Sequence, residues 1–271
     1  MRPDTITKSV VGTVPDEAKR LFRRSVPPAV FDRVADRLDP DRRVLTDIET
    51  PAGTITLRLP AGDNLRKTAE NPREKPLPRV PGVGFEPTFV RDLSRRLDGE
   101  TTYYDIGAAK GYFAEVAKLA GVPESRLHLF EPSSAADRLE SKYPESTVTT
   151  ELVGSDSGEN CLTLTEYALE KPDPDVVKVD AEGAEFDILR GLTPLSPIVY
   201  VEVHPLLLSA SDSVPALVDF LTERGYDVAW ADHRRVDGDW HDAASVPLPY
   251  LSTLSTNSEG PYMLRGLPPE T

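Results

Sequence analysis

The sequence predicts an α/β protein: a doubly wound, mostly parallel sheet of seven strands over residues 81–271, behind an N-terminal α+β appendage over residues 1–80. Three observations carry this expectation. From residue 86 onward, short β-branched or aromatic runs alternate with segments of helical period, the pattern of a parallel sheet covered on both faces. Some of those runs, IVYV at 198–201 among them, are apolar throughout, as strands buried on both faces are. Acids stand where the runs end, at the edge of an open α/β sheet where ligands bind.

The appendage comes first. PDEAKRLFRR and PPAVFDRVADRL each open on proline and continue with helical spacing; in the second, Val30, Phe31, Val34 and Leu38 share a face. TDIETPAGTITLRLP reads as two short strands around a Pro51-Ala52-Gly53 turn, with Ile55, Leu57 and Leu59 alternating. NPREKPLPRVPGVGFEP follows, with prolines at 72, 76, 78, 81 and 87. Proline at that density continues neither a helix nor a central strand, so an extended arm is expected.

The regular part then runs in order. PTFVRDLSRRL is a helix, and YYDI at 103–106 the first strand. A glycine turn leads into a helix from Tyr112, with Phe113, Val116, Ala117 and Ala120 at helical spacing and Gly121 and Pro123 closing it. RLHLFEP is the second strand, ending at Glu131, and SSAADRLESKY its helix. STVTTELVG at 146–154 reads as the third strand and LTLTEYALEK at 162–171 as a short helix. DVVKVD is the fourth strand, AEFDILRGL its helix, IVYVEVH the fifth strand, SVPALVDFLTERG its helix and YDVAWAD the sixth. PYMLRG at 261–266 returns as a seventh strand along the sheet edge.

Composition narrows the partners. Against 31 Lys and Arg stand 45 Asp and Glu, and a net charge of −14 repels nucleic acid and anionic membrane surfaces alike. Cys161 is the only cysteine, so no intrachain disulfide forms and a reducing compartment fits. The N-terminal stretch has no apolar run long enough for a signal peptide or a membrane span. A soluble, cytoplasmic protein is expected.

The turn DIGAAKG narrows the ligand. Its spacing is G-x-x-x-G, not the G-x-G-x-x-G that surrounds a dinucleotide pyrophosphate, and Asp105 would set a negative charge beside that group. A carboxylate there suits a cationic ligand, and S-adenosylmethionine, with its sulfonium and amino groups, fits; capping of the turn by Asp105 is the structural alternative. Glu131 stands twenty positions after Gly111, about where an α/β nucleotide site places the acid that meets ribose hydroxyls, or else it simply starts a helix. Asp180 ends the fourth strand. Lys178 points to the same side by the period of two, lining the cleft or pairing with a neighbouring acid.

YYDIGAAKGYF, HLFEPS, VVKVDAEGAEFDILRGL and IVYVEVHP, in this order, resemble the FkbM family of S-adenosylmethionine-dependent methyltransferases over roughly residues 86–232. The resemblance implies a class I, Rossmann-like methyltransferase fold and O-methylation of a hydroxyl on a small molecule or glycan. It also implies that Asp105, Gly107 and Gly111 form the cofactor's amino-acid pocket, Glu131 its ribose anchor, and Gly154, Ser155 and Asp156 its adenine-side loop, with Asp180 near the transferable methyl group. Where the family commonly has Asn, this chain has Ala109.

A hydroxyl acceptor needs a base, a role suited to histidine near neutral pH. His204 lies just past the fifth strand with Glu202 two residues earlier on the same side, so Glu202 could orient the imidazole. Alternatively Asp180 and Glu202 could hold a divalent metal that acidifies the hydroxyl, or His204 could be a plain strand terminus. His128 reads as structural, and His233 and His241 as solvated. Two other functions compete: a non-catalytic adenosyl-nucleotide binding module, and a nicotinamide-dependent oxidoreductase, which the turn spacing disfavours.

Overall fold

The computed structural model describes residues 43–60, 86–204, 207–208, 212–231, 239–243 and 262–269. The helices expected at 15–24 and 27–38, nearly all of the proline-rich arm, and His233 lie outside these residues.

β1 (Arg43–Thr50) and β2 (Gly53–Pro60) form an antiparallel hairpin about the expected turn. Helix α1 (Pro87–Ser94) leads to β3 (Tyr103–Ile106), and α2 (Tyr112–Leu119) to β4 (Leu127–Phe130). Then come α3 (Ala136–Lys142), β5 (Thr147–Thr149), β6 (Leu152–Val153), β7 (Cys161–Leu162), α4 (Leu164–Ala168) and β8 (Val176–Val179). The rest are α5 (Glu185–Arg190), β9 (Ile198–Val203), α6 (Val214–Glu223), β10 (Asp227–Ala231), β11 (His241–Asp242) and β12 (Tyr262–Leu267). Among the described residues no helix is long and apolar enough to cross a membrane.

The central sheet runs β11-β10-β12-β9-β8-β3-β4-β5. From β9 to β5 all pairs are parallel, so the sheet is the mostly parallel, doubly wound one expected. Alternation along the strands feeds two cores. Tyr103, Val176 and Tyr200 join Phe89, Leu93, Phe113 and Val116 on one face. Tyr104, Val177, Val199 and Val201 join Phe186, Leu189, Leu217 and Leu221 on the other. The chain builds outward from β3 and then returns to β8, so the order reverses between these two strands, where ligands of open α/β sheets bind.

Three expectations change. The run 146–154 is not one strand: it breaks after Thr149, and β6 pairs with β7 in a separate two-stranded ribbon that leaves Leu152 exposed. The helix expected from Leu162 starts two residues later, because Thr163 caps it, its hydroxyl accepting the Glu166 N–H. The last strand is not at the edge. β12 slots antiparallel between β9 and β10, where Tyr262, Met263 and Leu264 are all buried, and two-residue β11 makes an eighth strand on the outside.

The hairpin shares the main core. Ile48, Ile55, Leu57 and Leu59 are buried in the same cluster as Phe89 and Phe113. Leu57→Ala is therefore expected to lower the stability of the whole chain by about 2–5 kcal/mol, the usual cost of emptying a buried leucine site. Urea unfolding followed by tryptophan fluorescence checks this; an unchanged midpoint would mean that the hairpin folds apart from the sheet.

Candidate active site

Register brings the acids together. Asp105 pairs across from Lys178, and Val179 from Val201, which sets Asp180 and Glu202 side by side at the carboxyl ends of β8 and β9. Gly107 begins the turn beyond β3 at the same level, and His204 follows β9 directly.

The floor is an ion pair. Lys178 Nζ lies 3.2 Å from Asp105 Oδ1 and 3.6 Å from Asp180 Oδ2, donates to the Gly107 carbonyl at 3.3 Å, and sits 4.9 Å from the Phe113 ring centre. Both Lys178 and Asp105 are fully buried. Burial disfavours the ammonium, but Asp105, Asp180 and Glu202 outweigh it and raise its pKa, so the proton stays on lysine. Of the two readings for Lys178, pairing with a neighbouring acid is the one found. Asp105 correspondingly faces this ammonium.

The turn above it is held from two sides. Glu131 Oε2 accepts from Ala109 N at 2.8 Å and Oε1 from Ser133 N at 2.9 Å, which leaves each oxygen a further lone pair. Gly107 has φ 78°, and a Cβ there would stand 2.0 Å from the Asp180 carbonyl oxygen. Gly111, φ 73°, would place a Cβ 2.8 Å from the Tyr143 ring. Both glycines are required by neighbouring protein atoms. Ala109 is also left-handed, at φ 48°, a conformation that asparagine tolerates better than alanine. Gly111, at the N-terminus of α2, makes no side-chain cap hydrogen bond, since a glycine has no side chain.

Asp180 is the most accessible acid of the cluster, its side chain 28% exposed. Burial raises its pKa to about 7, helped by Glu202 and Glu86 and opposed by Lys178 and His204. His204 Nε2 lies 3.9 Å from Asp180 Oδ1, while Nδ1 lies 2.7 Å from Glu185 Oε1. Burial opposes the imidazolium, but Glu185, Glu202 and Asp180 prevail and raise the His204 pKa. Asp180, Glu202 and His204 each present a ligand atom, all within 4.8 Å of one another, a set that could also hold a divalent cation.

The remaining candidates fall elsewhere. Ser155 Oγ donates to Asp156 Oδ2 at 3.0 Å, on a loop whose Gly154 carbonyl lies against Gly191, contacts that tie it to the end of α5. His128 is buried, 2.8 Å from the Tyr167 hydroxyl, and burial lowers its pKa to about 4, consistent with a structural residue. His241 is exposed, its ring centre 4.9 Å from that of Trp230. Glu185 was missed: the imidazole's short contact goes to it, not to Glu202, as the sequence suggested. Its signal was an acid two residues after Gly183 in DAEGAEF, next to apolar Phe186.

A doubly wound sheet whose reversal point gathers a glycine turn and strand-ending acids fits the class I methyltransferase fold. Residues 135–228 match the methyltransferase FkbM domain. The FkbM resemblance is thus borne out over those residues. No curated protein is significantly similar to it. Among solved structures, the precorrin-6y C5,15-methyltransferase of Geobacter metallireducens is similar at 16% identity and TM-score 0.40, over 73% of this chain and 96% of that one. The FkbM methyltransferase of Methylobacillus flagellatus is similar at 14% and 0.46, over 67% of this chain and 47% of that one, so the chain spans about half its length. The tRNA (m1A58) methyltransferase of Aquifex aeolicus is similar at 12% and 0.38, over 81% and 80%.

A carboxyl whose pKa is raised in the folded protein holds its proton to higher pH than in the unfolded chain. Its stabilising effect is present at low pH and is lost as pH rises through about 7 for Asp180. The stability of Asp180→Asn relative to the parent is therefore expected to improve between pH 5 and pH 8.5. Urea midpoints at the two pH values test this, and an offset that stays constant would contradict it.

Proposed function

We propose that this chain is a methyltransferase that uses S-adenosylmethionine and transfers the methyl group to a hydroxyl of a small molecule or glycan, with His204 taking the proton. The observation that carries the reading is the His204 imidazole at the end of β9, its Nε2 toward the partly exposed Asp180 and its Nδ1 engaged on Glu185.

The residues fit the cofactor by charge and donor type. Glu131 keeps lone pairs for ribose hydroxyls. The acids around Asp180, only partly offset by Lys178 and His204, suit a cationic centre. When bound, S-adenosylmethionine supplies an electrophilic methyl group, and the protein's task is alignment and proton removal. Gly154, Ser155 and Asp156 are proposed for the adenine side on the family resemblance. Residues 1–80 are proposed as an appendage that shapes acceptor access or assembly, and residues 81–271 as the unit that binds the cofactor.

Two variants separate cofactor binding from proton transfer. Glu131→Ala is expected to weaken S-adenosylhomocysteine binding by about 1–3 kcal/mol in calorimetry, the scale of lost charge-assisted hydrogen bonds. Unchanged affinity in a folded variant would reject the ribose role. His204→Ala is expected to leave that affinity intact and to slow methyl transfer by ~10²–10⁴-fold. Turnover is read as S-adenosylhomocysteine released over a panel of small phenols and monosaccharides, with and without EDTA. Full turnover in His204→Ala would remove the base role, and activity lost to EDTA and restored by Mg²⁺ would favour a metal on Asp180 and Glu202.

A further inference from the structure

Glu185 is an acid of this cluster that bears on the proton step through its contact with His204. We propose that it is a positioning residue that fixes which nitrogen of His204 carries the proton, an inference that rests on His204 acting as the base.

A neutral imidazole has one N–H donor and one bare nitrogen, and the hydrogen bond at one nitrogen decides the state of the other. Glu185 Oε1 lies 2.7 Å from Nδ1. An ionised carboxylate only accepts, so Nδ1 must be the donor, and Nε2 is left bare on the side that faces Asp180, at 3.9 Å. That is the nitrogen a base needs.

The carboxylate is itself fixed. Gly183 N donates to it, lying 3.1 Å from Oε1 and 3.0 Å from Oε2. Gly183 is required there: it has φ 116°, and a Cβ would fall 2.3 Å from the Leu207 carbonyl oxygen. Glu185 is fully buried at the first turn of α5, whereas His204 comes from the end of β9. The imidazole is thus oriented by protein atoms alone, before any ligand arrives.

Glu185→Leu tests this, because leucine keeps much of the buried volume and removes the acceptor at Nδ1. With no carboxylate to receive it, the proton is no longer held on Nδ1. It is then free to occupy Nε2, the wrong nitrogen for a base. ¹⁵N NMR of the full, histidine-labelled chain at pH 9 reads the tautomer directly, with the His204 signals assigned by their loss in His204→Gln. The parent is expected to show protonated Nδ1 and bare Nε2, and Glu185→Leu a shift of the proton toward Nε2, with unchanged S-adenosylhomocysteine affinity and turnover down by ~10²–10⁴-fold. Nε2–H in the parent, or an unchanged tautomer in a folded Glu185→Leu, would overturn the role of Glu185. Full turnover in His204→Ala would instead overturn the base reading and leave the tautomer result standing, so the two failures are distinguishable.

Discussion

The Lys178 ammonium sits inside the sheet with 1% of its side chain exposed, and its partners come from separate elements. Asp105 belongs to β3, the Gly107 carbonyl to the turn after it, Asp180 to the end of β8, and the Phe113 ring to α2. Removing a charge from water costs several kcal/mol even after relaxation, so such a lysine is tolerable only where acceptors converge. Their convergence fixes the relative heights of two strand ends, the glycine turn and the helix behind it. Gly107 completes the constraint, because the Asp180 carbonyl oxygen would lie 2.0 Å from any Cβ placed there.

The proposed chemistry rests on that floor. With Asp105 committed to the lysine, Asp180 is the member of the group that reaches the accessible side, and its carboxyl is pushed up to about 7 by burial and by Glu202 and Glu86. His204 stands between Asp180 and Glu185 with one nitrogen toward each. The resulting edge is acidic, sparing in positive charge, and suited to a cationic ligand.

Much of the fold was legible because strand alternation and glycine turns are local signals. The helices and strands from Pro87 to Ala231 fall close to their expected places, since each buried face repeats at the period of its element. What failed was non-local. Nothing in PYMLRG says which neighbours it will pair with, and its insertion between β9 and β10 is settled by packing across the sheet. The break after Thr149 likewise depends on β7, a partner several residues away in a different ribbon. In the site, Asp180, Glu202 and His204 were legible as strand-end residues, whereas the destination of Asp105 required the register that sets it opposite Lys178. Glu185 was hidden because a helix-start glutamate is ordinary in sequence, and only the fold turns it toward an imidazole nineteen residues on.

The central claim is that the acid-lined edge of this sheet receives an adenosyl cofactor with a cationic centre. Calorimetric titration of the full chain with S-adenosylmethionine, S-adenosylhomocysteine and NAD tests it most directly. The account predicts one site that takes both adenosyl compounds and no heat from NAD. Binding of NAD with no response to either adenosyl compound would contradict it.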